Sequence, residues 1–358
     1  AYLVFNRGAN GAAATRFVLM LSGQTAGQLR SVEGGSPTAD VVTATGTGQT
    51  TKHASGVHYE PITLEMGLDM DPLAYGWASE AWKPSSALKD GSVIAVDASG
   101  KAFTQMDFSQ AVLTAVETPV LDAGSKDAAF LTFRLAPEIT RISQPTGNPP
   151  VRGARGTWQT ANFRLDIDGL DTSKVNRIEA LKITQAVVAD RAGEFREASK
   201  HPGRVEVSDL KVEMSTSSSE SWAKWFNDFV VGGNNGHDRE KNGSIKFMSP
   251  DGKSELGRVD LFGLGIYRFA PKAASSNTDQ VSRQLASLYC TRVELRIAGQ
   301  KIASESPSPA ASTEASPSPS DSPAATPKPT KPPRVEVSPK PSAAPSPPAT
   351  PVPSATPS

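Results

Sequence analysis

The chain has 358 residues, with 37 lysines and arginines against 37 aspartates and glutamates and an isoelectric point near 7.1. This balance excludes the basic footprint of a nucleic-acid-binding protein, the lone Cys290 excludes a disulfide framework, and the length suffices for two domains that each bury a core. The N-terminus has no basic segment followed by an apolar run, and no stretch approaches the roughly 20 apolar residues of a membrane span; the expectation is a chain made and folded in the cytoplasm without a signal peptide. The first predicted element is a strand in which Phe17, Leu19 and Leu21 alternate. A second strand, 28–33, leads into a loop at 34–51 rich in Gly, Thr and Ser, and alternation through Val57, Tyr59, Ile62 and Leu64 gives a third. A helix follows, with Asp71 as N-cap, Pro72 at the first helical position and Leu73, Trp77, Ala81 and Trp82 as its apolar stripe. Strands return at 92–97, 103–113 and 129–135. The first two are joined by Ala98-Ser99-Gly100-Lys101, where Gly tolerates the positive φ of a tight turn.

Residues 137–159, with Pro137, Pro145, Pro149 and Pro150, break regular structure and read as a linker. The succession then repeats. Strands at 163–167 and 175–187 lead into a charged loop at 188–200, then a strand alternating through Val205, Val207, Leu210 and Val212. A helix at about 218–231 carries Trp222, Trp225, Phe226 and Phe229 on one face, and strands follow at 244–249, 257–269 and 289–297. After about Ala303 come 17 of the 29 prolines among Ser, Ala and Thr, a composition that cannot offset its ordering entropy and predicts a disordered, polyproline-like tail. The expected domains are therefore 1–136, a linker 137–159, 160–302, and the tail 303–358.

The repetition is visible residue by residue. A spacing of 148 separates Lys52-His53 from Lys200-His201, Leu64-Glu65-Met66 from Val212-Glu213-Met214, and Trp77 from Trp225. Gly91-Ser92-Val93 matches Gly243-Ser244-Ile245, Gly100-Lys101 matches Gly252-Lys253, and Asp107 matches Asp260. Leu131 to Ala136 is aligned with Val293 to Ala298. Preserved order with drifting gaps is the mark of a duplicated domain, and the period is too long for a solenoid.

Motifs for chemistry are missing. His53 and His201 occupy equivalent places beside a predicted turn and suit local hydrogen bonds, and they lack the companions of a metal site. Gly232-Gly233-Asn234-Asn235-Gly236 follows a helix instead of opening one, which suits a C-cap better than a phosphate loop. No enzyme, metal or cofactor is expected. Trp77, Trp222, Trp225, Phe226 and Phe229 are read as the helix–sheet core. Trp82 has Val230 as its counterpart and is read as a contact beyond its own domain, and Cys290 as a buried free thiol.

The run His201-Pro202-Gly203, Val212-Glu213-Met214, Trp222-Ala223-Lys224-Trp225-Phe226, Gly243-Ser244-Ile245 and Asp251-Gly252-Lys253 resembles the tail-tube protein family of contractile phages and phage-derived injection systems. The first copy resembles it through Lys52-His53, Gly56, Trp77 and Gly100-Lys101. The resemblance implies a mainly β fold with α, a β-barrel or sandwich with one packed helix, in two tandem copies. It marks His53, His201, Pro202, Gly203, Gly243 and Gly252 as family positions. It implies loops at 34–51 and 188–200 that touch neighbouring subunits, with Thr43, Thr45, Arg191, Glu194 and Arg196, together with Trp82, as candidate contacts.

The implied function is a structural subunit that self-assembles into rings stacked as a tube whose channel conducts DNA or effector cargo. Three two-domain chains would give a pseudo-six-fold ring. The implied partners are further copies of the chain and sheath, baseplate or terminator proteins, and the implied location is a phage tail or a released phage-tail-like particle. Two alternatives are a single-ring adaptor or terminator of the same machinery and a surface-associated binding protein with a Pro-rich stalk; the lack of an export signal counts against the second.

Overall fold

In a computed structural model, residues 16–45, 48, 50–83, 88–150, 158–191, 197–272 and 282–297 are described. The expectations for the tail, Glu194 and Arg196 lie outside these residues. The first copy comprises β1 (Arg16–Leu21), β2 (Gln24–Gly34), β3 (Pro37–Thr45), β4 (Thr50–Tyr59), β5 (Ile62–Met66), α1 (Pro72–Glu80), β6 (Lys89–Val96), β7 (Ala102–Glu117), β8 (Leu121–Asp122), β9 (Leu131–Ala136) and β10 (Ile139–Ser143). Strands β1, β2, β5, β9, β7 and β6 pair in that order, and β7 pairs with both β6 and β9, which closes a six-stranded antiparallel barrel. Alternation sends Leu19, Leu21, Ile62, Leu64, Val93, Phe108, Leu131 and Phe133 inward, all buried. Each such side chain contributes about 1.5–3 kcal/mol of transfer free energy.

The second copy comprises β11 (Phe163–Ile167), β12 (Val175–Ile178), β13 (Lys182–Asp190), β14 (Ser199–Val207), β15 (Leu210–Ser215), α2 (Glu220–Phe226), β16 (Lys241–Met248), β17 (Glu255–Pro271) and β18 (Arg283–Ile297). Its order β11-β16-β17-β18-β15-β12 is that of the barrel, but β11 and β12 do not pair, so it is a half-barrel. The cause is local. The residues that would extend β12 back toward β11 form a turn in which Asp171 Oδ1 accepts the Ser173 N–H at 3.0 Å, and Trp222 Nε1 fixes it by donating to Asp171 O at 2.8 Å. The two copies share one continuous apolar core.

The duplication extends to irregularities. The β2–β5 register skips between Leu29 and Ser31, and β12–β15 skips between Val175 and Arg177; β7–β9 skips between Leu113 and Ala115, and β17–β18 between Ile266 and Arg268. A side chain on Gly91 would stand 2.4 Å from Met20 O, and one on Gly243 2.4 Å from Asp166 O, so both positions require glycine.

Five expectations are corrected. The segment 34–51, expected as a loop, supplies β3 and the first residues of β4, its hairpin partner, with β-branched Thr38, Val41, Val42, Thr43 and Thr45 suited to a strand. His53 and His201 accordingly lie within β4 and β14 and not beside turns. The segment 137–159 contains β10, paired on β7 from Ile139↔Ser109 to Ser143↔Gln105. The fourth correction concerns the closing strand. The pairing partners make Phe133 the counterpart of Ala286 and Ile142 that of Leu295, so Leu131 to Ala136 corresponds to residues beginning at Gln284 and not at Val293. The 15 residues of β18 do continuously what β9 and β10 do in two pieces, because Pro137 interrupts the ladder. The second helix is also shorter than expected, passing into a π-helical turn at Asn227–Val231.

Candidate assembly surface

The two copies are joined head to tail. From the second copy, β13 leaves its own half-barrel and adds to the first copy's β7, with Lys182↔Glu117, Ile183↔Val116 and Thr184↔Ala115 opposite. Thr118 N donates to Leu181 O at 2.9 Å, and Leu181 N to Thr118 Oγ1 at 3.0 Å. Lys200 on β14 reinforces the seat, its backbone N donating to Glu138 Oε1 at 2.6 Å and its Nζ to Pro137 O at 2.5 Å. Burial pushes that ammonium below its usual range, and Glu138 opposes the shift. In return the first copy gives β8 to β12, with Leu121 opposite Ile178, and packs α1 on β18. Tyr75 on α1 reaches across: a Cβ added at Gly257 would stand 3.5 Å from Tyr75 Oη.

A head-to-tail joint leaves one complementary half free at each end. On the first copy the β3–β4 hairpin, counterpart of β13–β14, forms a two-stranded sheet of its own. The two hairpins share a side-chain bond at the same place: Thr38 Oγ1 donates to His58 O at 3.3 Å where Thr184 Oγ1 donates to Glu206 O at 3.4 Å. Beside it, Ile142 on β10 is 57% exposed, whereas its counterpart Leu295 is 4% exposed on β18, where α1 packs. On the second copy, the 268–271 stretch of β17 corresponds to Ala115–Thr118 and pairs on one side only, with β18, among the described residues. Among the described residues helix α2 has no such cover either. Tyr75 and Ala78 on α1 are buried, while their counterparts Ala223 and Phe226 are half-exposed and Val230 is exposed.

The remaining predicted residues divide clearly. Trp77, Trp222, Trp225 and Phe229 are buried and Phe226 packs partly on the core. Trp82 is half-buried against that core. Thr43 and Thr45 are exposed on β3, opposite Lys52 and Thr50. Arg191 joins the two hairpins, its Nη2 3.5 Å from Asp40 Oδ2. Pro202 and Gly203 lie in β14 against β13, and Gly252 forms its turn at φ 68°. Cys290 is buried with a free thiol, pushed above its usual range by burial. Among the described residues no helix is long and apolar enough to cross a membrane.

The sequence reading missed the β17 edge, Ile142 and the Tyr75–Gly257 contact. Ile142 was legible in principle, as an apolar residue in a segment otherwise read as linker. The edge was not, because only the pairing partners reveal which strand has an unused side.

Facing the free edge is a groove of about 840 Å³ on the outer side of β12, β15, β18 and β17, with Arg177, Lys211, Arg268, Glu179, Glu213 and Asp209 among its lining. Glu213 is almost fully buried, between two cations. Burial pushes its carboxyl up, but hydrogen bonds from Lys272 Nζ and Arg283 Nη1, each at 2.7 Å, outweigh that and hold it below the usual carboxylate range.

A family model described as T4-like virus tail tube protein gp19 matches residues 13–140 and again 159–285. Among solved structures, the chain is similar to a subunit of the sheath–tube complex of PVC, an extracellular contractile injection system, with 21% identity, 36% of this chain and 89% of that chain covered, and a TM-score of 0.33. It is similar to a chain of the anti-feeding prophage cap, with 15% identity, 42% and 95% covered, and a TM-score of 0.33. For Hcp1 from Flavobacterium johnsoniae the figures are 11% identity, 37% and 94% covered, and a TM-score of 0.22. No curated protein matches the chain.

Proposed function

The chain belongs to the T4-like virus tail tube protein family, matched by both of its copies, and from that premise we propose that it is a structural subunit that closes into rings by repeating its internal joint between chains. The observation that carries this reading is the complementarity of the free halves. The hairpin β3–β4 and the β10 face of one chain offer what β13–β14 and β18 offer inside the chain; the β17 edge and α2 of the next receive them as β7 and α1 do. A heterologous joint generates a closed ring when its rotation closes. Pairing also removes two exposed strand edges. If six tube domains make a ring, as the family resemblance implies, three of these chains supply them. Stacked rings then form a tube whose channel passes DNA or protein cargo, with sheath, baseplate or terminator proteins as further partners and a phage tail or tail-like particle as the setting. The domain limits 1–136 and 160–302, with 137–159 between them, belong to this same proposal.

Negative-stain electron microscopy of the purified chain tests it. Rings with a central hole and three-fold symmetry support the reading; a monomer at every concentration removes it. A disulfide between chains in a mixture of Ser36→Cys and Ala270→Cys variants checks the register, because these positions correspond to Lys182 and Glu117, which face each other inside the chain. A second reading, a terminator that forms one ring and stops, is favoured by the inequality of closed barrel and half-barrel. Stacks many rings long in the same images would dismiss it.

A further inference from the structure

The joint between chains is not an equal copy of the joint within the chain, and the difference lies in two prolines. Inside the chain, Thr118 N donates to Leu181 O and Leu181 N to Thr118 Oγ1. An antiparallel ladder alternates bonded and non-bonded pairs, so the next bonded pair is Val116 with Ile183, two residues along the register, where each backbone N–H meets the other's carbonyl. The β13–β7 ladder within that joint therefore holds four hydrogen bonds.

The free halves carry the same positions, identified by their pairing partners. Glu60 N donates to Ser36 O as Ser208 N donates to Lys182 O, and Pro37 lies opposite Tyr59 as Ile183 lies opposite Val207, so Pro37 stands where Ile183 stands. Phe269 lies opposite Ala286 as Val116 lies opposite Phe133, which puts Pro271 in the place of Thr118. Pro271 has neither an N–H for Gly35 O nor a hydroxyl for Gly35 N. Pro37 has no N–H for Phe269 O. Of the four bonds, only Phe269 N to Pro37 O is left.

Resting on the ring reading above, we propose that Pro37 and Pro271 are gatekeepers of the chain–chain surface, whose partner is a second copy of this chain. They keep the free hairpin and the free β17 edge from pairing in the unassembled chain, so that the joint closes only when α2 also seats on the β10 face around Ile142. Proline at an exposed edge blocks strand addition by removing donors. Here it stands at a ladder position on both halves of one joint, where the fused counterpart has Ile183 and Thr118. A subunit built this way stays apart when dilute and adds preferentially to a preformed ring end that offers both contacts at once.

The test compares the full chain with Pro37→Ile, Pro271→Thr and the double variant, reading the concentration of half-assembly by mass photometry and sedimentation. The double variant is expected to half-assemble at a concentration about tenfold or more below the parent, as restored hydrogen bonds require. The single variants fall between, and thermal unfolding of the dilute monomers is unchanged. Parent and variants assembling at the same concentration overturn the gatekeeper role and leave the ring reading intact. No assembly of any of them, with no disulfide between the Ser36→Cys and Ala270→Cys chains, overturns both. Should the double variant fail to fold, the reverse change serves: Ile183→Pro should loosen β13 from β7 and speed hydrogen exchange at the Thr118 amide. An unchanged exchange rate there overturns the inference.

Discussion

Asp90 Oδ1 accepts the backbone N–H of Gln110 at 2.7 Å and holds that residue at φ 49°, a left-handed conformation in the middle of the long strand β7. The second copy repeats the device with other residues: Asn242 Oδ1 accepts from Gly263 N at 3.2 Å, with Gly263 at φ 64°. Both residues sit at a register shift, β7 against β6 between Phe108 and Ala111 and β17 against β16 between Leu261 and Leu264, which is the mark of a bulge in a long strand.

The two bulges should respond oppositely to substitution. Left-handed backbone costs a residue with a Cβ about 1–2 kcal/mol, so Gln110→Gly should raise stability by about 0.5–1 kcal/mol. Gly263→Ala should lower it by about 2 kcal/mol or more, since its Cβ would stand 2.6 Å from Thr291 Oγ1. Urea denaturation of both variants decides this, and equal effects would contradict it.

The Glu213 cluster predicts a pH dependence. Its carboxyl is depressed in the folded chain, so the stability it contributes is complete above the unfolded carboxylate pKa, about 4.3, and is lost as pH falls through the folded value. Glu213→Gln should cost about 1–2 kcal/mol at pH 7, a modest loss because both cations are partly exposed to solvent. The gap between parent and variant should narrow steadily below about pH 4. A gap that widens on acidification would reverse the assignment.

Ile142 and Leu295 occupy the same position in the two copies but only Leu295 is covered. Leu295→Ser should destabilise the folded monomer by about 3 kcal/mol. Ile142→Ser should leave monomer stability within about 0.5 kcal/mol of the parent and instead suppress ring formation. Unimpaired rings from Ile142→Ser would show that α2 of a neighbour does not seat there.

The tryptophans separate in the same way. Trp222 is fully buried and hydrogen-bonded to the turn that keeps the half-barrel open, so Trp222→Ala should cost about 3–5 kcal/mol. Trp82 is half-buried, and Trp82→Ala should cost about 1–2 kcal/mol. If Trp82 also contacts a neighbouring subunit, that variant will shift assembly more than its loss of stability explains, which parallel melting and sedimentation would reveal.

The sequence by itself determined whatever depends on neighbours along the chain. Its alternating apolar residues placed β1, β5, β6 and β11, the Trp222–Phe229 stripe placed a helix, and Gly100 and Gly252 placed two turns, because periodicity and the φ a residue tolerates are local properties. Aligning the copies on those signals also exposed the duplication. The tertiary structure decided everything that depends on which strand edge finds which partner. Backbone hydrogen bonds are blind to side-chain type, so nothing in the Thr- and Val-rich segment 37–45 announces a hairpin with no sheet to join, and nothing in Lys182–Thr184 announces that it pairs outside its own copy. The same blindness misplaced the closing strand, since Leu131–Ala136 resembles Val293–Ala298 in sequence while Pro137 moves its true counterpart to residues beginning at Gln284. Pro37 and Pro271 were readable as prolines from the start. That each stands where its counterpart inside the chain donates a hydrogen bond became visible only once the ladders were paired.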